Sequence, residues 1–437
     1  RRSSDLPLVQ ILASKGYEVT GSDVNEGHII EAERAMGIPV FMGHKPENIQ
    51  GADMVVYSAA IHEENPELQA AHTHGVPCVE RSVMLGYVCR LYQRSICVAG
   101  THGKTTTTSL ITTMLELAGR DPSAVIGGKL PLIGGYGKAG SGPSIVIEAC
   151  EYAETFLRLA PAIGIVLNID NDHLDYYGTL GQLKFAFKRF ALLCSHTIVV
   201  NADDANTMQV MDSIDRDMRT FAIERRADYQ AVGIREYKPG YFEFDVLEFG
   251  DPFAHIRLGA PGRHNIYNAL AMVCCVRPLG LTPDDAARAA EHFRGAGRRF
   301  ELKGEINGAA VADDYAHHPT ELRATLETAL KMGYKRVWAV HQPFTYSRTR
   351  MLLNDFAEVL QLADKVVLTP IMGSRELDDG SIKSEDLAAK IPGSVVVDSL
   401  AAAAEYIRQN AGPGDLVITL GCGDVYKASD LMVGLCG

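Results

Sequence analysis

The amino-acid sequence predicts an α/β fold divided into three domains. Short apolar runs that end in polar residues alternate along the chain with segments whose apolar residues recur at helical spacing. The chain has 437 residues, more than one compact domain usually holds. A stretch rich in glycine and arginine, HFRGAGRRFELKGEING at 292–308, has the composition of a hinge. We therefore predict domains at residues 1–93, 94–296 and 297–437.

The first domain is predicted to be Rossmann-like but to lack its first strand. LPLVQILASKG and ERSVMLGYVCRLY have helical patterns, whereas YEVTGSD and ADMVVYSAAI have the composition of strands. Asp23, which closes the strand YEVTGSD, could accept a hydrogen bond from a ribose hydroxyl, or could equally be a helix cap or turn residue. The chain begins directly with the helix, without the strand and glycine-rich turn that normally open such a unit. We expect a truncated form of a longer product rather than a chain that has lost this function.

The second domain opens with the stretch VAGTHGKTTTTSL at 98–110, which predicts a strand, a tight turn and the start of a helix. The unpaired N–H groups at a helix start attract anions, and Gly100 and Gly103 would let the backbone approach a phosphate closely. Lys104 could reach phosphate oxygens, and the hydroxyl of Thr105 or Thr106 could bind Mg²⁺. Only two residues separate the glycines, so an ordinary strand-to-helix turn is the alternative when the motif is taken alone.

Two further apolar strands of this domain end in polar residues. Glu148 closes the strand in PSIVIEAC, and His173 follows the strand in AIGIVLNIDNDHLDYYG. Because parallel strands present their carboxyl ends at one sheet edge, both residues could face a ligand on the glycine turn. A carboxylate and a threonine hydroxyl suit Mg²⁺, whereas imidazole is a less usual ligand. A capped turn with a solvated histidine is the alternative, and the partnership with Glu148 favours the metal.

Two asparagines lie one turn apart in the helical segment PGRHNIYNALAM. Asn265 and Asn268 could read the edge of a base. Equally, Asn265 could be an N-cap and Asn268 a solvated residue, which is the interpretation that the residues favour by themselves.

The third domain is again predicted to be Rossmann-like α/β. Its strands lie in the segments AAVADDYAHHPTEL, KRVWAVHQPF, ADKVVLTPI and DLVITLGCGDVY, each with polar residues at its end. Helical patterns such as SEDLAAKI and LAAAAEYI separate them.

Composition excludes several classes of protein. The formal net charge is −12 and no long basic run is present, which argues against nucleic acid as a partner. The nine cysteines are scattered without a Cys-x-x-Cys pair, so neither a zinc site nor a disulfide framework is indicated, and a cytoplasmic location fits. No apolar stretch is long enough for membrane insertion. Oligomeric state is not indicated.

Seven motifs, in this order, resemble those of the Mur ligase family, whose members are ATP-dependent ligases of peptidoglycan synthesis. The motifs are GTHGKTTTT (100–108), NIDNDHLDYYG (168–178), GRHNIYNALA (262–271), GRRFE (297–301), DDYAHHPTE (313–321), HQPFTYSRTR (341–350) and TLGCGDVYK (419–427). The match is best to members that join L-alanine to the carboxylate of UDP-N-acetylmuramate. The resemblance therefore implies that reaction, through an acyl phosphate, with ATP and Mg²⁺.

The resemblance also implies roles for single residues. The turn from Gly100 through Thr101 and Gly103 to Lys104 would bind ATP phosphates, together with Thr105 and Thr106. Metal ions would be held by Thr105, Glu148 and His173, and adenine would be contacted by Asn265 and Asn268. In the third domain the expected residues are Arg299 for the terminal phosphate, Asp314 for the ATP ribose, and His317, His318, Tyr346, Arg348 and Arg350 for the amino acid and the acyl group.

Chemistry explains these groups. Attack of a carboxylate on a phosphate brings two anions together, so Mg²⁺, Lys104 and Arg299 would offset the repulsion. His317 or His318 could act as general base on the amine, or these histidines could only form hydrogen bonds with substrate or backbone. Domain closure is expected, because these residues lie on both sides of the hinge. Lys188 stays outside the predicted site, since QLKFAFKRF predicts an amphipathic helix with Lys184 and Lys188 on its wet face.

Two other functions remain open at this stage. A related recycling ligase attaches a whole tripeptide to the same UDP-sugar. A catalytically silent nucleotide-binding relative would also fit the incomplete first domain.

Overall fold

The computed structural model describes residues 5–374 and 376–435. Contacts within the chain group it into two compact units. The first runs through Val232 and includes Asp245–His255 and Tyr267–Ala290; the second holds Gly233–Phe244, Ile256–Ile266 and the chain from Glu291 onward. The three domain boundaries predicted from the sequence remain a prediction.

The start of the first unit contains two small parallel sheets and four helices. Strand β1 pairs with β2, and β3 pairs with β4, each pair in parallel. The predicted helices at its two ends are confirmed, and the predicted strands are present but only three residues long. In order, the elements are α1 (Asp5–Ser14), β1 (Gly21–Asp23), α2 (His28–Ala35), β2 (Val40–Met42), β3 (Val55–Tyr57), α3 (Pro66–His74), β4 (Cys78–Glu80) and α4 (Arg81–Arg90).

A ten-stranded sheet follows, in the order β14-β13-β12-β11-β10-β9-β5-β8-β6-β7. Its strands are β5 (Arg94–Ala99), β6 (Ser123–Leu130), β7 (Gly135–Lys138), β8 (Ser144–Glu148), β9 (Ile163–Val166), β10 (Thr197–Asn201), β11 (Asp217–Ala222), β12 (Tyr229–Lys238), β13 (Tyr241–Glu248) and β14 (Asp251–Arg257). The helices are α5 (Lys104–Leu117), α6 (Leu174–Tyr177), α7 (Leu180–Leu193), α8 (Ala205–Met211), α9 (His264–Val273), α10 (Val276–Leu279) and α11 (Pro283–His292).

The middle of this sheet is buried on both faces. Strand β5 pairs in parallel with β8 on one side and β9 on the other, and every residue of β9 is buried. Continuous apolar runs of this kind are typical of parallel strands that helices cover on both sides. Because β5, β8 and β9 run in the same direction, the residues that follow them emerge at one edge.

Helix α7 is amphipathic, as predicted. It buries Leu183, Ala186, Phe187 and Phe190, and the ring of Phe156 stacks on Phe190 at 5.0 Å. On its other side the ammonium of Lys188 donates a 2.7 Å hydrogen bond to Ser213.

The second unit contains a six-stranded sheet in the order β15-β16-β20-β17-β18-β19. Only the β15–β16 pair is antiparallel. The strands are β15 (Glu301–Ile306), β16 (Ala309–Asp314), β17 (Arg336–His341), β18 (Lys365–Leu368), β19 (Val395–Val396) and β20 (Asp415–Leu420). The helices are α12 (Pro319–Lys331), α13 (Tyr346–Met351), α14 (Leu353–Leu360), α15 (Ser384–Ala388), α16 (Leu400–Asn410) and α17 (Tyr426–Val433).

Alternation along these strands builds a core on each face of the sheet. Val311 packs into one core with Trp338 and Ile407, whereas its neighbour Ala312 packs into the other with Phe356 and Leu322. Helices cover both faces, which is the arrangement predicted for this domain. None of the helices in the described ranges combines the length and the apolarity that crossing a bilayer requires.

Candidate active site

The turn between β5 and α5 needs glycine at both predicted positions. Gly100 has φ +143°, and a Cβ atom there would lie 2.9 Å from the Cβ of Leu167. Gly103 has φ +84°, and a Cβ atom there would lie 2.4 Å from Oδ1 of Asn268. Side chains are therefore excluded by backbone conformation and by space together. The predicted strand, tight turn and helix start are confirmed.

The segment after β9 holds this turn in place. The N–H of Thr101 donates to the carbonyl of Asn168 at 3.1 Å, and the N–H of His102 donates to the Asn168 side chain at 2.8 Å. The hydroxyl of Thr101 accepts from the N–H of Asp170 at 2.9 Å. Thr101 thus fixes the shape of the turn.

Lys104 folds back over the turn that precedes it. Its ammonium donates to the carbonyls of Gly100 at 2.5 Å and Thr101 at 2.9 Å, and to Oε1 of Glu151 at 3.0 Å. Burial lowers the pKa of Lys104, but the carboxylates of Glu151 and Glu148 outweigh it, and the net pKa is raised. The side chain therefore stays positively charged at neutral pH, as phosphate binding requires.

Glu148 lies directly beside the first turn of α5. Its Oε1 accepts a 3.1 Å hydrogen bond from the hydroxyl of Thr105, and its Oε2 accepts a 2.7 Å bond from the N–H of Gly127. Thr106 is buried in the same helical turn. A carboxylate and a hydroxyl side by side are oxygen donors of the kind that Mg²⁺ prefers, so the donor set fits this ion.

Glu151 is a residue of this cluster that the sequence analysis missed. Its side chain is only 1 % exposed and lies between the ammonium of Lys104 and Nε2 of His173, which is 3.7 Å from Oε1. The hydroxyl of Tyr177 donates to its backbone carbonyl. The signal was available, because a second glutamate follows Glu148 by three residues.

The structure therefore brings four predicted residues of the first unit together. Lys104 and His173 both contact Glu151, while Thr105 contacts Glu148. His173 has φ +56° and a side chain that is 22 % exposed, so it is not the freely solvated histidine of the alternative interpretation. The negative charge of Glu148 also raises the pKa of Lys104.

The two asparagines of α9 have different surroundings. Asn268 is 5 % exposed and accepts a 3.2 Å hydrogen bond from the hydroxyl of Thr107, so the interpretation of Asn268 as a solvated residue is wrong. Asn265 lies inside the first turn of α9, where its side-chain amide donates to the carbonyl of Pro261 at 2.6 Å. Helix α9 begins at His264, so Asn265 is not the N-cap either.

Asp23 terminates β1 and is 6 % exposed. One carboxylate oxygen accepts a 3.0 Å hydrogen bond from the N–H of Asn25, which is the turn geometry offered as the alternative in the sequence analysis. Its role toward a ribose stays a prediction.

In the second unit, Arg299 lies close enough to Asp314 for its positive charge to affect the pKa of that carboxyl. The guanidinium of Arg299 is 5.2 Å from the ring centre of Tyr315, and its Nη1 is 3.9 Å from Glu321. Asp314 accepts hydrogen bonds from the N–H groups of Phe300 at 2.7 Å and Ala316 at 2.8 Å. Burial raises the pKa of Asp314 to about 6, although Arg299 opposes the shift.

The imidazole rings of His317 and His318 carry their proton on different nitrogens. Nδ1 of His317 is 3.1 Å from the carbonyl of Tyr315 and from the carboxylate of Glu321, which can only accept, so Nδ1 carries the proton. Its Nε2 is then the basic nitrogen of the neutral ring. Nδ1 of His318 instead accepts from the N–H of Thr320 at 3.3 Å and caps α12, which leaves the proton on Nε2. The role of either histidine as general base stays a prediction, and Nδ1 of His318 is already engaged as a helix cap.

The predicted arginines of α13 separate. Arg348 is half-buried, and its positive charge lowers the pKa of Cys422, although burial raises that pKa on balance. Arg350 is exposed, and its Nη1 donates to the hydroxyl of Ser381 at 2.6 Å. Burial and the acidic groups nearby raise the pKa of Tyr346. The charge of Arg348 thus acts on Cys422 in the loop after β20, whereas Arg350 contacts Ser381.

A glycine turn beside a charged lysine, with acidic groups at the same sheet edge, defines an α/β protein that binds a nucleotide phosphate. Three family profiles match consecutive parts of the chain: the Mur ligase family catalytic domain at residues 6–93, the Mur ligase middle domain at 98–276, and the Mur ligase glutamate ligase domain at 298–423. The chain belongs to the Mur ligase family, as its motifs predicted.

Relatives with assigned activity match nearly the whole chain. The UDP-N-acetylmuramate–L-alanine ligase of Caldanaerobacter subterraneus is 41 % identical over 429 residues, which cover 97 % of this chain and 93 % of the relative. The enzyme of the same name from Alkaliphilus metalliredigens is also 41 % identical, over 98 % of this chain and 94 % of its own length.

A solved structure confirms the three-domain α/β fold class. The UDP-N-acetylmuramate–alanine ligase of Thermotoga maritima superposes with a TM-score of 0.84 at 27 % identity, covering 99 % of this chain and 96 % of that one. A murein peptide ligase from Psychrobacter arcticus shares the fold with a TM-score of 0.75, at 23 % identity over 99 % of this chain and 96 % of that one.

Proposed function

We propose that this chain is an ATP-dependent ligase that joins L-alanine to the carboxylate of UDP-N-acetylmuramate in peptidoglycan synthesis. The observation that carries the proposal is the cluster of Lys104, Thr105, Glu148 and His173 at one sheet edge, in a chain that is 41 % identical to ligases of this name along nearly its whole length. A cytoplasmic location is part of the proposal, because ATP and a UDP-sugar are cytoplasmic compounds.

The first chemical step joins two anions. The carboxylate of the sugar attacks the γ-phosphorus of ATP, the bond to the β-phosphate oxygen breaks, and ADP leaves while an acyl phosphate forms. Lys104 and Arg299 supply positive charge to the transferred phosphoryl group, which is where such charge lowers the barrier most. The backbone N–H groups at the start of α5, which follows Gly103, would bind the remaining phosphates.

The proposal includes Mg²⁺, and three side chains would bind it. Thr105 and Glu148 would hold Mg²⁺ with oxygen, and His173 would add a nitrogen; the ion would neutralise phosphate charge. Asn265 and Asn268 are assigned to adenine and Asp314 to the ATP ribose.

The second step is attack of the L-alanine amine on the acyl carbon, with phosphate as the leaving group. The amine must be neutral to attack, so a base has to remove one proton. Nε2 of His317 is suited to this role, because Nδ1 keeps its proton against Tyr315 and Glu321. Tyr346, Arg348 and Arg350 remain predicted contacts of the amino acid or acyl group, and His318 acts as a helix cap.

A phosphate-release assay tests the proposal. Purified protein is given ATP, Mg²⁺, UDP-N-acetylmuramate and L-alanine, and each is omitted in turn. We expect release only when all four are present, and formation of the alanyl product by mass spectrometry. Release without the sugar would indicate a simple ATPase, and release with a tripeptide but not L-alanine would indicate the recycling reaction. No release under any condition would favour the catalytically silent relative.

A further inference from the structure

Arg298, which precedes the predicted phosphate-binding arginine, points its donors into the protein. Its Nε donates to Asp313 at 2.8 Å, its Nη1 to the carbonyl of Gly423 at 2.9 Å, and its Nη2 to the carbonyl of Gly421 at 2.6 Å. Three of its five N–H groups are thus directed at fixed acceptors of the second unit. A guanidinium with donors directed at several protein acceptors fixes the positions of those acceptors relative to one another.

The groups that accept hydrogen bonds from Arg298 are themselves held by further hydrogen bonds. Asp313 is 1 % exposed at the end of β16, and its second oxygen accepts a 2.6 Å hydrogen bond from the hydroxyl of Thr419 on β20. Gly421 and Gly423 belong to the loop that follows β20, which Gln342 also fixes through a 3.1 Å bond from the N–H of Val425. Arg298 therefore joins the ends of β16 and β20 to the segment before β15.

Aromatic contacts connect Arg298 to its neighbour. The guanidinium of Arg298 is 4.7 Å from the ring centre of Tyr426 and 5.0 Å from that of Tyr315. The guanidinium of Arg299 contacts the same Tyr315 ring at 5.2 Å. The N–H of Tyr315 also donates to the carbonyl of Arg298 at 2.7 Å, so the shared ring is tied to the backbone between the two arginines.

We infer that Arg298 is a positioning residue. It holds Arg299 through the shared Tyr315 ring, and it holds the Gly421–Asp424 loop through hydrogen bonds to the carbonyls of Gly421 and Gly423. This inference rests on the proposed function, in which Arg299 stabilises the transferred phosphoryl group. Arg298 contributes to the rate of the chemical step through the placement of Arg299 and adds no contact to the substrates.

The same sheet offers a matched control in Arg336. Its guanidinium donates to Asp415 at 3.0 and 2.6 Å, Asp415 is 1 % exposed, and the guanidinium is 5.4 Å from the ring of Trp338. Arg336 and Asp415 are the first residues of β17 and β20, so they lie at the opposite edge of the sheet from the loop after β20 that Arg298 contacts. Arg336 thus has the same structural chemistry at the opposite edge.

The experiment compares Arg298→Lys with Arg336→Lys in the phosphate-release and product assays. Lysine keeps the charge but loses the fork of donors, so both variants are expected to lower the melting temperature similarly. We expect Arg298→Lys to reduce kcat by about tenfold or more with KM for each substrate within about twofold, because misplaced groups slow the chemical step. Arg336→Lys is expected to keep kcat within about twofold of the wild type.

A second pair of variants keeps the test decisive if Arg298→Lys does not fold. Tyr315→Phe keeps the ring and is expected to retain kcat, whereas Tyr315→Leu removes the ring and is expected to reduce it as Arg298→Lys does. Equal kcat for the two lysine variants, or for the two Tyr315 variants, would overturn the positioning role. A wild-type protein that releases no phosphate would instead overturn the proposed function.

Discussion

The two sheet edges that carry the predicted residues organise charge in opposite ways. In the first unit one ammonium, Lys104, is surrounded by carboxylates, with Glu151 in contact and Glu148 close by. In the second unit two adjacent arginines, Arg298 and Arg299, lie around one tyrosine ring, and two buried aspartates, Asp313 and Asp314, interact with them.

The difference shows how the groups proposed to bind ligands are related, at each edge, to the groups that hold them in place. At the acidic edge Glu151 contacts Lys104 and Glu148 is a proposed metal ligand that contacts Thr105, so the proposed binding groups also hold one another. At the basic edge we propose that Arg298 has the supporting role and that Arg299 binds a phosphate. We therefore expect single substitutions to be most severe at the acidic edge and graded at the basic one.

Removal of the ammonium should have the largest effect. Lys104→Met is expected to reduce kcat/KM by about 10³-fold, because charge that stabilises the phosphoryl group is lost. It should also reduce the free energy of unfolding by about 3–5 kcal/mol, since Glu151 is left buried without its partner. Phosphate release and urea unfolding measure the two effects.

The double variant Lys104→Met with Glu151→Gln sharpens this prediction. A neutral residue 151 needs no counter-charge, so most of the stability should return while the activity stays low. Lys138→Met, which breaks a more exposed pair with Glu116 and Asp121, is the control and should keep its activity. Activity of Lys104→Met within tenfold of the wild type would contradict the role of the turn.

At the basic edge, Arg299→Met is expected to reduce kcat by about 100-fold, because one donor to the transferred phosphate is removed. The loss of stability should be smaller than in Lys104→Met, because Glu321, which is 3.9 Å from Arg299, is more exposed than Glu151. Steady-state kinetics and thermal melting check both parts. The control Arg323→Met removes an exposed pair with Glu358 and should leave kcat unchanged. A large loss of stability in Arg299→Met would mean that the arginine supports the fold.

A smaller effect is expected from one methyl group at the acidic edge. A Cβ atom on Gly127 would lie 2.6 Å from both carboxylate oxygens of Glu148. Gly127→Ala should therefore displace that carboxylate and weaken Mn²⁺ or Mg²⁺ binding by about tenfold. Electron paramagnetic resonance of Mn²⁺ with a non-hydrolysable ATP analogue measures this without turnover. Gly181→Ala is the control for the metal effect, because the nearest atom to a Cβ at this helical glycine is 3.8 Å away, an ordinary van der Waals distance.

The smallest predicted effect is a dependence of kcat/KM for ATP on pH, which arises at the basic edge. Burial raises the pKa of Asp314 to about 6, so its carboxylate gains a proton as the pH falls through this value. Between pH 7.5 and 5.5, kcat/KM for ATP should decrease about fourfold if the ionised form binds the ribose. Asp314→Asn should lack this dependence. An equally steep decrease in Asp314→Asn would assign the titration to another group.

The effect of this carboxyl on stability has the opposite sign. Its pKa is higher in the folded protein than in the unfolded chain, where it is near 3.8. The folded state therefore binds the proton more tightly, and the stability that Asp314 contributes is complete below about pH 4 and is lost as the pH rises through about 6.

Local sequence patterns were sufficient for the elements and for the glycine turn. The apolar run of β5, the helical spacing in α5 and the glycines between them are interactions of neighbours, so a short stretch carries the information. The order of seven motifs identified the family for the same reason.

Partners distant in the chain were beyond such patterns. Glu151 was missed although it contacts Lys104, because 47 residues separate them, and Arg298 was passed over because its partner Gly423 is 125 residues away. The assignment of ring protons on His317 and His318 likewise required their acceptors and donors to be seen.

The sequence by itself determined the α/β class, the family and the residue types at each sheet edge, because these follow from local spacing. Only the tertiary structure decided which carboxylate holds Lys104, which arginine supports the other, and which histidine nitrogen is basic. The physical reason is that buried charges and hydrogen bonds are satisfied by whatever the fold brings within about 3 Å, and chain order does not encode that distance.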